Sequence, residues 1–413
     1  MIATNPDWSA LHTFVENISS DDQTPCYVYN DELQRLRVNQ LHTLFSDQFS
    51  LSYAVKANPN PKILGTFNEL IKHFDASSIG EVRLAISAGA APENITFTGP
   101  AKKKSEIRQA IELGIGALVI ESAREADLAA ALCRTLNRTQ NILVRINPAN
   151  TPKLFSAKMA GKHSQFGVDE KNLETNLGSI LAHKELTLDG FHIYSGTNCL
   201  AVDALVENFQ SMLESFKKAS QWANINPRRL IFGSGFGVPY FSGETELHIL
   251  TAAKQINALI DQFTAGQNFR HTRCILELGR WLIAPCGVLL TSVVSKKSTE
   301  DVEFRICDAG FNNHLAACGL MGTVIRRNWA IENLSSSTGT KKLFTLVGPL
   351  CTSIDLIAQG IELPDTNIGD VLAIPMSGAY GYSASPLNFI SHPPPTEYLI
   401  RNNTMHNITT THS

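Results

Sequence analysis

The stretch "LSYAVKANPNPKIL", Leu51 to Leu64, decides how the rest of the chain is read. An apolar, strand-like run ends on a single lysine, Lys56, and then breaks into "ANPNP". Ammonium groups are almost never fully buried without a partner. A lysine with a lowered pKa in an enclosed site, however, is the usual carbonyl-trapping amine.

Outward from this stretch, one theme repeats from residue 51 to 278. Short apolar strand candidates alternate with longer amphipathic helix candidates. The strands read "LSYAVK" (51–56), "HFDASS" (73–78), "NITFTG" (94–99), "ALVIES" (117–122), "NILVRIN" (141–147), "LDGFHIYS" (188–195), "RLIFGSG" (229–235) and "CILELG" (274–279). Eight such units are the count of a (β/α)8 TIM barrel, whose strands read as near-continuous apolar runs. An open doubly wound sheet is the alternative, and it would leave eight strands in line.

After about residue 280 the rhythm changes. "GVLLTSVVSKK", "VEFRICDAG", "KKLFTLVGPL", "DVLAIPMSG" and "TEYLI" are strands separated by turns, the pattern of a mostly β domain. The expected organisation is an N-terminal segment 1–30, whose "PCYVYN" adds a strand to the β domain, a barrel over 31–279, the β domain over 280–400, and a polar tail 401–413 with nothing to bury.

Bulk properties narrow the function. At 413 residues the chain exceeds one ordinary core, and 43% hydrophobic with 18% charged residues suits a soluble globular protein. A formal charge of −3 argues against nucleic-acid binding. The eight cysteines form no C-x-x-C pair, which suits a reduced compartment without structural zinc. No signal peptide is read at "MIATNPDWSALHTF", and no apolar run approaches the ~18 residues of a membrane span. A cytoplasmic protein with no membrane partner is expected.

In a barrel, function sits at the C-terminal strand ends. Those ends carry Lys56, Asp75 with Ser77, Gly99, Glu121, Arg145, His192 with Ser195, the glycines 233, 235 and 237, and Glu277 with Arg280. Each has a plain reading and a chemical one. "GSGFG" (233–237) is a strand-to-helix turn or a cradle of N–H groups for an anion. "ELGR" (277–280) is a surface ion pair, or an acid for a ring nitrogen beside an arginine for a phosphate. His192 is a core histidine or a site residue, and Lys56 a snorkelling strand-end lysine or an aldehyde trap. Together, an aldehyde-trapping lysine, a phosphate cradle and a carboxylate facing a ring nitrogen are the needs of pyridoxal phosphate. No nicotinamide fingerprint follows the first strand and no H-E-x-x-H is present.

The chain resembles the fold-type III pyridoxal-phosphate decarboxylases, the family of diaminopimelate and ornithine decarboxylases. The resemblance runs from Pro25 to Ile400 through "YAVKAN", "FDASSIGE", "TGPAKK", "RINP", "QFGVD", "HIYSGT", "GSGFGVPYF", "ELGR", "CDAG", "GPLCTSID" and "SGAYGYS". It implies an alanine-racemase-like barrel plus a β domain. Lys56 would hold the cofactor covalently, His192 would stack on its ring, and Glu277 would pair with the ring nitrogen. Gly235, Phe236, Gly237, Gly279, Arg280 and Tyr380 would bind the cofactor, chiefly its phosphate, with Ser195 close by. Asp75 and Arg145 would support Lys56. Cys351 would reach the site of a neighbouring subunit and protonate the substrate carbon after CO2 leaves, which implies a head-to-tail homodimer.

Three positions depart from the family pattern. Leu278 replaces a usual proline and Ser234 a common glycine. The residue after Cys351 is Thr352 rather than the acid that binds a distal amine in diamine-forming members, with Asp355 as a more distant substitute. "GPLCTSID", "MAGKHSQFG" and "SGAYGYSASPLNFISHPPP" are similar to the subgroup of natural-product and siderophore pathways, which includes decarboxylases of carrier-bound glutamyl groups and of citryl-diaminopropionate. His314, Arg326 and Arg327 are candidate partners for an anionic distal group, arginine forks suiting carboxylates. "AKKK" (101–104) is read as a solvated helix start. The expected function is decarboxylation of an amino-acid substrate with an anionic or extended distal part, free or on a carrier protein. The alternatives are a diaminopimelate or other basic amino-acid decarboxylase, an amino-acid racemase, and a non-catalytic pyridoxal-phosphate carrier.

Overall fold

The structure, a computed structural model, describes residues 8–18, 23–149, 157–158, 164–321, 326–336 and 339–410. The chain divides into two compact units, one of Val38–Gly237 with Glu246–Gly279, the other of Met1–Arg37, Val238–Thr245 and Arg280–Ser413.

The first unit contains the eight expected strands: β1 Phe49–Ala54, β2 His73–Ala76, β3 Ile95–Phe97, β4 Ala117–Ile120, β5 Gln140–Asn147, β6 Leu186–Tyr194, β7 Arg229–Gly233 and β8 Arg273–Leu278. They lie in the order β4-β3-β2-β1-β8-β7-β6-β5, every pair parallel, and β5 pairs back to β4. That last ladder closes the barrel and rules out the open sheet, which would have left two unpaired edges.

Closure explains why the strands read as continuous apolar runs. One face meets the helices and the other fills the barrel, so "ALVI" of β4 is buried at all four positions. Register assigns the inner face. Ala117, Val119, Leu143, Ile231 and Ile275 pack into one buried cluster. Two residues further along β5 and β8, the same face carries Arg145 and Glu277; on β6 it carries His192, which lies opposite Ile231. The interior thus changes from aliphatic to ionisable within one layer.

The turn after Lys56 is equally local. β1 ends at Ala54, and Lys56 lies inside a single 3-10 turn, Val55–Ala57, rather than on the strand as the sequence suggested. Asn60 then caps the helix Pro61–Leu70 by accepting from Lys62 N at 3.0 Å, with Pro61 at the first helical position. Asn58 Oδ1 accepts from Asn60 N at 3.1 Å. "NPNP" is therefore a capped helix start set one turn beyond the lysine.

"AKKK" is split by the fold. Lys103 and Lys104 are exposed at a helix start, but the Lys102 side chain is only 1% exposed. It donates to Gly99 O at 2.5 Å and pairs with Glu125 at 2.6 Å. A tri-lysine run hides this, because burial of one member depends on an acid 23 positions away.

In the second unit Cys26–Asn30 pairs parallel with Thr396–Arg401 and antiparallel with Gly287–Ser298. Trp8, Leu11, Val15, Cys26, Val28, Val288, Leu290, Val371, Ala373 and Ile400 form the core on this sheet. Two features differ from the sequence reading. The tail is not idle: Thr404–Asn407 pairs antiparallel with Thr396–Arg401, and the buried Ile408 donates to Glu397 O at 2.8 Å. Backbone pairing at a sheet edge needs no apolar side chains, so composition missed it. Val238–Thr245, read within the barrel, joins this unit by a bridge from Phe241 to Trp329 and stacking of Tyr240 on Trp329 at 4.3 Å. No helix among the described residues is long and apolar enough to cross a membrane.

The aliphatic layer beneath the charged one sets the barrel's stability. Leu143→Ala is expected to cost about 2–5 kcal/mol, read as a lower urea midpoint at unchanged m-value. A midpoint equal to that of the original protein would show that this layer is not packed as described.

Candidate functional site

Register brings Tyr194, Gly233, Glu277, Ser52 and His73 into one row across β6, β7, β8, β1 and β2. Glu277 is the centre of this mouth. Its Oε2 accepts from His192 Nε2 at 2.9 Å, and its Oε1 lies 4.0 Å from Lys56 Nζ. Burial alone would push the carboxyl up, but the His192 hydrogen bond and the charges of Lys56 and Arg145 bring it down to about 2. Glu277 is therefore ionised. His192, buried beside it, has its pKa lowered by desolvation and is neutral, with the proton on Nε2.

Gly279, just beyond β8, is required by this arrangement. A Cβ there would come within 2.8 Å of the Ala57 Cβ, inside the Lys56 turn. Leu278, in place of the usual proline, is a buried residue whose register partner is Tyr53. Ser234, the other departure, donates its hydroxyl to Glu277 O at 2.9 Å and so ties the glycine-rich loop to the strand carrying the acid.

Asp75 on β2 accepts from Thr96 Oγ1 at 3.0 Å and from Thr98 Oγ1. Burial first, then the charge of Glu277, raise its pKa to about 7 against the opposing pull of Lys56 and the two threonines. Arg145 pairs with Glu121 at 3.1 Å and lies over the Phe166 ring. Glu121 also accepts from Gly99 N at 3.1 Å and Gly167 N at 2.8 Å, fixing two loops around the mouth. "QFGVD" thus enters the site through Gly167, while 159–163 of "MAGKHSQFG" lie outside the described residues.

The loop "GSGFG" has a built shape. Gly235 has φ +69°, and a Cβ on Gly237 would meet the Asn198 carbonyl carbon at 2.8 Å. Cys199 N donates to Gly235 O and Gly237 N to Cys199 O, both at 3.0 Å, while Phe236 stacks on Phe45. The Gly237 amide is already used, so its missing side chain is what the loop needs.

In the second unit Arg280 donates to Tyr240 Oη at 2.7 Å and lies over the Tyr380 ring at 4.8 Å. Tyr380 has φ +60°, an uncommon conformation for a residue with a Cβ. Cys351 is exposed, whereas the other seven cysteines are buried.

The proposed distal-group residues fare unequally. His314 accepts from Ala317 N at Nδ1 (3.1 Å) and donates from Nε2 to Ser377 Oγ (3.0 Å); burial lowers its pKa to about 3. It is a neutral core histidine and cannot meet an anion as a cation. Asp355 accepts from Phe311 N at 2.8 Å and Leu350 N at 2.9 Å, buried against Gly310 and Gly348, so it staples its own loop instead of replacing an acid at 352. Arg327 is paired with Glu244 at 3.0 Å and lies over Phe241. Arg326 is exposed, bonded to Leu356 O, and Thr352 is partly exposed.

Several residues that matter here were not singled out from the sequence. Thr96 and Thr98 were legible only as strand alternation in "ITFTG". Tyr194 and Tyr240 lie within "HIYSGT" and "GSGFGVPYF", where the sequence carries no signal of their role because ring placement depends on neighbouring strands.

The mouth also tests a ligand. Three buried polar atoms, Asp75 Oδ2, His192 Nδ1 and Ser195 Oγ, have no hydrogen-bond partner among the described residues. Such atoms in a native fold call for an explanation, and a polar molecule in the mouth satisfies it. With the lysine, the ionised carboxylate and the glycine loop, these residues fit pyridoxal phosphate.

A pH dependence follows from Asp75. With its pKa raised in the folded state, the native protein holds a proton between about pH 4 and 7 that the unfolded chain has released, so stability from this group falls as pH rises through that window. Asp75→Asn removes the effect. The stability difference between variant and parent should move in the variant's favour from pH 4 to 7 and level off above. A difference independent of pH in urea titrations would contradict the assignment.

Residues 32–284 match the family "Pyridoxal-dependent decarboxylase, pyridoxal binding domain". The chain is 32% identical over 384 residues to the L-glutamyl-[BtrI acyl-carrier protein] decarboxylase of Niallia circulans, covering 92% of this chain and 89% of that one. It is 27% identical to the 2-[(L-alanin-3-ylcarbamoyl)methyl]-2-hydroxybutanedioate decarboxylase of Staphylococcus aureus, over 92% and 95% of the two chains. The diaminopimelate decarboxylase of Helicobacter pylori complexed with L-lysine superposes with a TM-score of 0.83 at 27% identity, over 96% and 95%. The closed barrel, the mostly β second unit and these matches agree: the chain belongs to the pyridoxal-dependent decarboxylase family of fold type III and is a pyridoxal-phosphate-dependent amino-acid carboxy-lyase.

Proposed function

We propose that the substrate is an α-amino acid with an anionic or extended distal part, free or borne on a carrier protein. One observation carries this reading: the loop after Cys351 offers a threonine, and its nearby carboxylate, Asp355, is held by two backbone amides. A distal ammonium therefore lacks the acid that diamine-forming relatives provide. The carrier-protein and hydroxybutanedioate decarboxylases among the relatives support the same direction. Of the residues considered for the distal group, Arg326, Arg327 and Thr352 are exposed or partly so, Arg327 while paired with Glu244.

The residue roles follow the family pattern. Pyridoxal phosphate, when bound, supplies an aldehyde for the amine and a protonated ring that takes up the electron pair left as CO2 departs. Lys56 offers the amine. Glu277, ionised and buried, would keep a proton on the cofactor's ring nitrogen, and neutral His192, which orients Glu277, would stack on the ring. The loop of Gly235, Phe236 and Gly237 would hold the phosphate with Ser195, Arg280 and Tyr380, Gly237 by its missing side chain since its amide is bonded to Cys199 O, and Gly279 leaves room for the lysine turn. Asp75 and Arg145 set the charge around Lys56. Once released, Lys56 can move protons at the substrate. Cys351 delivers a proton to the substrate carbon from a neighbouring subunit of a head-to-tail homodimer; its exposure, unlike that of the other cysteines, supports this part. The eight free cysteines support a reduced, cytoplasmic setting.

Lys56→Ala should move the cofactor's absorption away from that of the lysine-bound form and abolish CO2 release; an unchanged spectrum would remove Lys56 from its role. The substrate reading is tested by CO2 release from lysine, ornithine, arginine, meso-diaminopimelate, glutamate, a carrier-bound glutamate and citryl-diaminopropionate. Turnover of the extended or tethered compounds alone is expected. Efficient turnover of a free diamine precursor would overturn the reading in favour of a basic amino-acid decarboxylase.

Cys351→Ala should keep the cofactor spectrum and slow turnover or scramble the stereochemistry of solvent deuterium in the product. Normal rate with normal stereochemistry would exclude the thiol.

A further inference from the structure

Tyr194 ends β6 two residues after His192, so both side chains lie on the inner face of the barrel. Its register partner on β7 is Gly233. A Cβ on Gly233 would lie 2.3 Å from Tyr194 Cδ2 and 2.7 Å from Cγ, so the tyrosine ring rests directly on that glycine. The first glycine of "GSGFG" is thus required by the neighbouring strand. The next residue of this row is Glu277 on β8.

The ring leaning across Gly233 reaches Lys56. Its centroid is 5.1 Å from Lys56 Nζ, within the ~6 Å range of a cation–π attraction. The ammonium therefore has a carboxylate at 4.0 Å on one strand and an aromatic face on another. The lysine side chain is 34% exposed, so contacts of this kind restrict a flexible four-carbon stem that partly faces solvent.

We propose that Tyr194 is a positioning residue for Lys56: its ring face, seated on Gly233, holds the ammonium at the mouth whenever the amine is not covalently engaged. This rests on Lys56 being the cofactor lysine, which Lys56→Ala tests separately. The contact itself exists in the protein's own residues and can be measured without the cofactor.

The test is competitive acylation of the full-length, cofactor-stripped chain with acetic anhydride, with Lys56 followed by peptide mass spectrometry as a function of pH. Glu277 on β8, Asp75 on β2 and Glu81 on the helix Ile79–Ser87, which also act on Lys56, are unchanged in all variants. Tyr194→Leu keeps bulk but removes the aromatic face. Losing that attraction disfavours the charged amine, so its acylation midpoint moves to lower pH and labelling near neutrality rises about two- to fivefold. Tyr194→Phe keeps the face and should label as the parent does. Gly233→Ala displaces the ring and should shift the midpoint in the same direction as Tyr194→Leu, which keeps the proposal testable if one variant misfolds. An unshifted or raised midpoint in Tyr194→Leu or Gly233→Ala would overturn the proposal. So would a Tyr194→Phe profile matching that of Tyr194→Leu, because the hydroxyl rather than the ring would then be responsible.

Discussion

A carboxylate with almost no contact with water, Glu277, must stay ionised at the mouth of the barrel, and much of the surrounding chain answers that need. An isolated buried charge is costly. It is compensated here by a hydrogen bond from His192 and by the nearby positive charges of Lys56 and Arg145. Each compensating group arrives on a different element, so the charge is stable only in the closed barrel. Ser234, by bonding the Glu277 carbonyl, adds a backbone restraint to the same strand end.

Keeping Glu277 charged imposes a division of labour on its neighbours. Two carboxylates close to one ammonium cannot both ionise without cost, and the buried Asp75 takes the higher pKa. His192 stays neutral because burial lowers its pKa against the opposing pull of Glu277, and with Nε2 donating to that carboxylate its second nitrogen is left as an acceptor. A ring of ionisable groups with separated protonation states suits a cofactor that needs a protonated ring nitrogen beside a reactive amine. The network of Arg145, Glu121, Gly99 and Gly167 frames this ring and belongs to the rim of the mouth.

The (β/α)8 count, the lysine, the glycine loop and the acid at the end of β8 were legible in the sequence because each is a local pattern. Periodicity shows strands, and turn residues show their ends. What the sequence misjudged were residues with a plausible chemistry but a structural use. His314 and Asp355 read as anion and amine partners, yet both are occupied by backbone amides or hydroxyls within their own surroundings. Lys102 erred in the opposite direction, reading as solvated and proving buried in an ion pair. The strand Thr404–Asn407 escaped notice because edge pairing uses backbone groups that every residue carries.

By itself, the sequence determined the barrel class and the cofactor chemistry, since strand period, turn composition and motif spacing are properties of the chain alone. Only the tertiary structure decided which of its residues face one another and which remain available. Partner choice depends on register between strands far apart in sequence: Gly233 lies beside Tyr194, Tyr194 reaches Lys56, and Lys56 approaches Glu277. Availability depends on whether a side chain's hydrogen-bonding capacity is already satisfied, and no stretch of sequence records that.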